Sequence, residues 1–324
     1  MDAERPLKVG DIALGTQRSV RAASLRRRAL LTTLGACIVG GALVVELAGR
    51  RGQFTAALHA APIWILSVAT VLQIVALLSR TEAWYVCVRA TGATVARRVL
   101  YRAAGVGYLA SVVNGSLGLA ARIASLRRSA PETSPQVPAL LAAEVPIISV
   151  EIALVAIFSF TLVGPLGLPW WVPIIAIAVT AAAVIGLRRI SDRRRLGLWS
   201  GLAVMRSGRG RMVVLVLLAV CAQIARNWLV LRGIGVHVSV LDAIALLIAM
   251  FTLGQLPIGP PLGAAAAVLI LGAHGVALTA AAGVLLTVTA TVGSICYASW
   301  AGVDRLLAGR ITVSPEVTVA PTGA

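Results

Sequence analysis

Apolar residues in this chain come in long runs broken by short arginine clusters, not in the period-two alternation of half-buried strands. Runs at 29–48, 62–79, 139–163, 172–187, 212–231 and 277–300 approach or exceed the roughly 18 to 20 residues with which a helix crosses a bilayer. Two further stretches, YLASVVNGSLGLAARIASL at 108–126 and FTLGQLPIGPPLGAAAAVLIL at 251–271, are equally apolar but interrupted by turn residues. Arg97, Arg98 and Arg102 precede the first of these, and Arg122, Arg127 and Arg128 close it. Loops that collect Lys and Arg are cytoplasmic, so both ends read as lying on one side. The segment is therefore expected to enter the membrane, turn at Asn114-Gly115-Ser116 and return as a re-entrant hairpin, a backbone that survives in lipid only when other helices enclose it.

The two broken stretches superpose by a constant shift that lays Leu117-Gly118 on Leu262-Gly263 and Leu126 on Leu271. Upstream, Arg80, Trp84, Arg89 and Gly92 find weaker echoes in Arg226, Trp228, Arg232 and Gly235. A duplicated unit of a helix plus a broken helix accounts for this; chance similarity between Gly/Ala/Leu-rich membrane segments is the competing explanation. Threading the arginines to one side makes the first unit (about 62–163) start outside to inside and the second (about 212–300) inside to outside. The expected fold is thus an all-α integral membrane protein, with about six transmembrane helices plus two re-entrant broken-helix hairpins in an inverted repeat. Substrates of such folds sit between the repeats. Gly115, Gly118, Gly259 and Gly263 are the expected hairpin hinges, since small residues permit close backbone approach and bending.

Composition agrees: 59% of residues are hydrophobic. The formal charge of +17 invites a nucleic-acid reading, but the basic residues stand in short clusters beside apolar spans, where they orient the protein and meet anionic headgroups. The topology places both termini and the loop 188–211 in the cytoplasm of a cell with a plasma (inner) membrane, and Trp170, Trp171 and His237 outside. Residues 1–28 are expected to be a basic cytoplasmic tail, 29–310 the polytopic domain and 311–324 a disordered tail; the run after Arg26-Arg27-Arg28 reads as an uncleaved anchor. Trp84, Tyr85 and Arg89 suit an interfacial segment after the second span. Cys37, Cys87, Cys221 and Cys296 have no CxxC spacing, and His59, His237 and His274 lack nearby carboxylates, so neither a disulfide framework nor a metal site nor a cofactor is expected.

Asn114, Gly118 and Arg122 followed by a helix, together with Pro257-Ile258-Gly259-Pro260-Pro261-Leu262-Gly263, resemble the membrane region of lysylphosphatidylglycerol synthases and their stand-alone relatives, a flippase-like family. The resemblance covers about residues 30–305 and implies movement of a phospholipid between leaflets. Leu119 and Ala266 stand where that family carries acids, and Ser116 stands near its proline. The chain ends shortly after the sixth span, so no aminoacyl transfer is expected and the protein is read as a non-enzyme.

Ionisable groups inside a membrane are functional candidates with partners to be named. Glu144, Glu151 and Arg226 qualify; Glu151 and Arg226 both lie about 20 Å from the cytoplasmic end of their helices and are expected to meet. Arg122 is the expected ligand of a lipid phosphate, with Arg102 and Asn114 beside it and Arg127 and Arg128 adding to the local field. The leading reading is a translocator of an anionic or polyprenyl-linked lipid. Two others are kept: a non-transporting subunit, as a homo-oligomer or beside a partner glycosyltransferase or synthase, and a membrane transferase, which Glu82, Asp192 and Asp242 serve poorly because they stand isolated.

Overall fold

The computed structural model describes residues 34, 37–38, 41–42, 44–113, 115–193, 209–253 and 262–311. Half of the first expected span, the expected N-terminal tail, the C-terminal tail beyond Ile311, Asn114, Gly259 and most of the loop 188–211 lie outside the described residues. All regular structure among those described is helical: α1 (Arg51–Ala60), α2 (Ile63–Ala90), α3 (Arg97–Val113), α4 (Gly115–Ser129), α5 (Val137–Ala142), α6 (Val145–Phe158), α7 (Val163–Leu166), α8 (Trp171–Arg193), α9 (Arg209–Gly233), α10 (Val240–Leu253), α11 (Leu262–Leu271) and α12 (Val276–Ile311). Among the described residues, four segments are long and apolar enough to cross a membrane: Ile63–Ala90, Val137–Leu166, Gly210–Gly233 and Val276–Leu306. The expected fourth span is the helix α8, whose apolar part is shorter, Trp171–Leu187. Large apolar side chains such as Val71, Ile152, Ile175, Val179 and Val214 are exposed along these helices, the outward face of a membrane protein and not that of a soluble bundle.

The second span does not stop at Ser79. α2 runs on through Arg80, Glu82 and Trp84 to Ala90; of the residues expected to be interfacial, Trp84 is completely buried, while Tyr85 is half-buried and Arg89 exposed. The helix ends only where Gly92, at φ 88°, admits the left-handed turn that β-carbons resist. Its counterpart α9 ends the same way at Gly235, φ 87°, with Gly92 N–H donating to Arg89 O and Gly235 N–H to Arg232 O. α2 and α9 run antiparallel: Ile65 at the start of α2 meets Gly233 at the end of α9, Gln73 meets Arg226, and Glu82 meets Arg211.

Each hairpin docks at one end of that pair. α3, α4 and the α5–α6 segment share a core with the end of α2 and the start of α9, through Trp84, Leu100, Leu126, Leu140, Ile147 and Met212. α10 and α11 share another with the end of α9 and the start of α12, through Leu231, Val236, Leu246, Leu271 and Leu286. α3 and α4 are antiparallel and very close: a β-carbon at Gly107 would lie 2.8 Å from Arg122 Cβ and from Gly118 O, and one at Gly118 would lie 2.8 Å from Ser111 Cβ. The equivalent glycine of the second unit makes its close contact elsewhere, for Gly263 faces Gly283 and Thr287 of α12.

The third expected span is broken. α5 stops at Ala142, Glu144 occupies the N-cap of α6, and Pro146 follows within the first turn. Proline has no N–H to donate and its ring crowds the preceding turn, which is why the helix restarts there. A 3-10 turn at Ser159–Leu162 and the short α7, closed by Gly167 at φ 61°, end the segment.

Candidate functional site

The break at Glu144 sets its carboxylate against α4, where it forms a buried ion pair with Arg122. The Arg122 guanidinium lies 4.1 Å from the centroid of the Trp84 ring, so one face of the cation is covered by an aromatic surface that attracts it. Glu151, two turns further along the same side of α6, pairs with Arg80 of α2 through two contacts, 2.8 Å and 3.2 Å. Arg80, Glu151, Tyr108 and Tyr297 lie within electrostatic reach of Arg122. Two arginines and two glutamates thus form a neutral quartet at the junction of α2, α4 and α6. Neutrality matters there, because an unpaired charge removed from water costs several kcal/mol.

The expected meeting of Glu151 with Arg226 does not occur. Glu151 is taken by Arg80, which sits on the face of α2 that α6 covers, whereas Arg226 faces Gln73 further toward the start of α2 and donates to its Oε1. Arg226 also donates to Asn227 Oδ1 at 3.2 Å. The expected headgroup ligands are likewise occupied. Arg122 is 7% exposed and paired, while Arg102 is held by Asp304 at the end of α12, with Nε donating to Oδ2 at 2.7 Å and Nη2 to the backbone carbonyl at 2.9 Å.

Glu82, isolated in sequence, is a hub in space. Its carboxylate accepts from Tyr101 Oη at 2.7 Å, pairs with Arg97 at 2.9 Å and pairs with Arg211 at 2.7 Å. Together with Arg102 and Asp304 it ties the first unit to α9 and α12 at one end of the bundle. Between this hub and the quartet, the hydroxyls of Thr81 and Tyr108 lie 3.0 Å apart and Tyr297 Oη donates to Thr81 Oγ1 at 3.3 Å. Tyr101, Tyr108 and Tyr297 escaped the sequence reading because nothing local marks an aromatic hydroxyl as inward-facing. The i, i+4 pair Arg97 and Tyr101 was the available signal for part of the hub.

Beside the quartet, a groove of about 800 Å³ opens between α4 and α5, lined by Leu119, Ile123, Val137 and Leu141 with Arg127 and Arg128. Arg122 and Glu144 do not line it: Arg122 precedes Ile123 on α4, and Glu144 lies about one helical turn after Leu141. The two lining arginines are exposed. Its chemistry suits an amphiphile with an apolar chain and an anionic end. No family model, curated protein or solved structure matches the chain.

Proposed function

We propose that this protein moves an anionic amphiphile, a phospholipid or a polyprenyl-linked lipid, between the leaflets of the plasma (inner) membrane. The carrying observation is the apolar groove between α4 and α5 with exposed Arg127 and Arg128, on the same helix, α4, as Arg122 of the buried Arg122–Glu144 pair. In this reading the two outer arginines receive the phosphate, and Arg122 becomes its ligand when the lipid oxyanion takes the place of Glu144, an exchange of one acceptor anion for another on a guanidinium. The hairpins α3–α4 and α10–α11 act as re-entrant elements of an inverted repeat. That arrangement is supported by the antiparallel α2–α9 pair, the matching glycine ends at Gly92 and Gly235, and the docking of one hairpin at each end. With both termini cytoplasmic, the Glu82–Arg211 and Arg102–Asp304 ties form the cytoplasmic closure.

A second reading, a non-transporting subunit of a lipid-modifying assembly, draws on the fact that Arg122 and Arg102 are both committed to carboxylates. Reconstituted vesicles carrying fluorescent phosphatidylglycerol or phosphatidylcholine separate the two. The translocator exchanges the anionic lipid well above the protein-free rate and the zwitterionic lipid far less, and R127A/R128A slows exchange at low salt. Protein-free rates for both lipids overturn translocation and leave the subunit reading.

A further inference from the structure

Arg80 and Arg122 each have a carboxylate; Arg226 has none. It lies in the middle of the α2–α9 contact, 4% exposed, with Asn227 at 0% and Gln73 at 7%. Both oxygens that accept from it, Gln73 Oε1 and Asn227 Oδ1, belong to neutral amides. Ion pairs among the described residues engage Glu46, Glu82, Glu144, Glu151 and Asp304, and none of these pairs includes Arg226. Asp242 is bound into the cap of α10 by Ser239, and the stretch 254–261 that joins α10 to α11 contains no acid. Two buried donors at this place, Arg226 Nε and Asn227 Nδ2, have no partner among the described residues.

An unneutralised buried charge and unpaired buried donors are each costly. Water accepts from the donors but leaves the charge; a cation aggravates it. A ligand that answers both is an anion. Its size follows from the enclosure: the unpaired nitrogens are shut off from solvent, and α12 closes over the site, where a β-carbon at Gly293 would fall 2.7 Å from Gln73 Cγ. A headgroup carrying acyl chains is too large for that junction. We propose that Arg226 and Asn227 supply the donors of a binding site for a small monovalent inorganic anion of the chloride class, enclosed by α2, α9 and α12. The site is separate from the groove and from Arg122.

The test is thermal unfolding of the full-length protein in detergent, with chloride exchanged for gluconate at constant ionic strength. The parent's midpoint is expected to rise saturably with chloride, by about 2–4 °C at a hundredfold excess over the dissociation constant for a chain of this size, and bromide should substitute. R226Q is expected to lose the dependence and, without chloride, to unfold at or above the parent's midpoint, because it removes the unneutralised charge. N227L, which keeps the charge and deletes one donor, should raise the half-saturating chloride concentration about tenfold, and it decides the matter if R226Q does not fold. A parent indifferent to chloride and bromide, or variants with the parent's chloride response, overturns the proposal. So does an R226Q that folds but is less stable than the parent in chloride-free buffer, since Arg226 would then serve helix packing through Gln73 alone.

Discussion

Two regions of the bundle, α2–α6 and α9–α12, each set a long helix ahead of a pair of shorter ones and differ in how they treat charge. In the first, Arg80 and Arg122 are each matched by a glutamate of α6; in the second, Arg226 has only amides, and the face of α12 nearest Gln73 offers Gly293. The close glycine contacts differ too. Gly118 is pressed against its own hairpin partner at Gly107 and Ser111, whereas Gly263 is pressed against α12 at Gly283 and Thr287. The first region holds its buried ion pair between a tight hairpin and a broken helix; the second leaves Arg226 on the long helix α9 and fastens its hairpin to the next helix by backbone contact. One hairpin therefore packs against buried ion pairs and the other against an apolar core.

The harshest way to break this contrast is to unbalance the quartet. E144L leaves Arg122 buried without a counter-ion and is expected to cost about 3–5 kcal/mol, while R122M/E144L, which removes both charges, should recover most of that loss. Denaturant unfolding in detergent, read by Trp fluorescence, measures both. A double variant as unstable as the single one would mean that the pair is not the source of the cost.

Adding a methyl group at the two tight glycines sharpens the comparison. G118A meets Ser111 Cβ and the carbonyl of Gly107, and G263A meets the Thr287 hydroxyl and the carbonyl of Gly283, so each should cost about 1–3 kcal/mol by overpacking. The losses should be separately located. Hydrogen exchange should quicken in α3–α4 for G118A and along α11–α12 for G263A.

Smaller effects follow at the outer pair and at the caps. Arg80 is one-third exposed, so E151Q leaves a cation that water can still reach, and its cost should be about 1 kcal/mol, well below that of E144L. G92A and G235A meet no atom within 4 Å, so only backbone strain opposes them. Each should lower stability by about 1 kcal/mol and by nearly equal amounts. Thermal midpoints of the two alanine variants that differ by more than a few degrees would argue that the two helix ends are not equivalent.

What could be read along the chain was periodic or compositional. Long apolar runs foretold helices, and each of the four described segments of spanning length overlaps a run read directly from hydropathy and extends beyond it. The turn residues foretold the break between α3 and α4, and the weak internal match of Gly92 with Gly235 falls on two helix ends of the same geometry. Local chemistry also shows why the third span divides, since Pro146 cannot continue the ladder, although the run was read as continuous because hydropathy is blind to a missing N–H. Ion pairing was not legible. Depth along a helix suggested that Glu151 meets Arg226, but depth says nothing about azimuth, and only the crossing of α2, α4 and α6 decides that Glu151 turns to Arg80 and Glu144 to Arg122. The same holds for Glu82, which has no charged neighbour of opposite sign in its own helical turn beyond Arg80, yet gathers Tyr101, Arg97 and Arg211 from two other helices. A side chain's neighbours along the sequence are set by the helical repeat, but its counter-ions come from other helices, and those positions exist only once the bundle has closed.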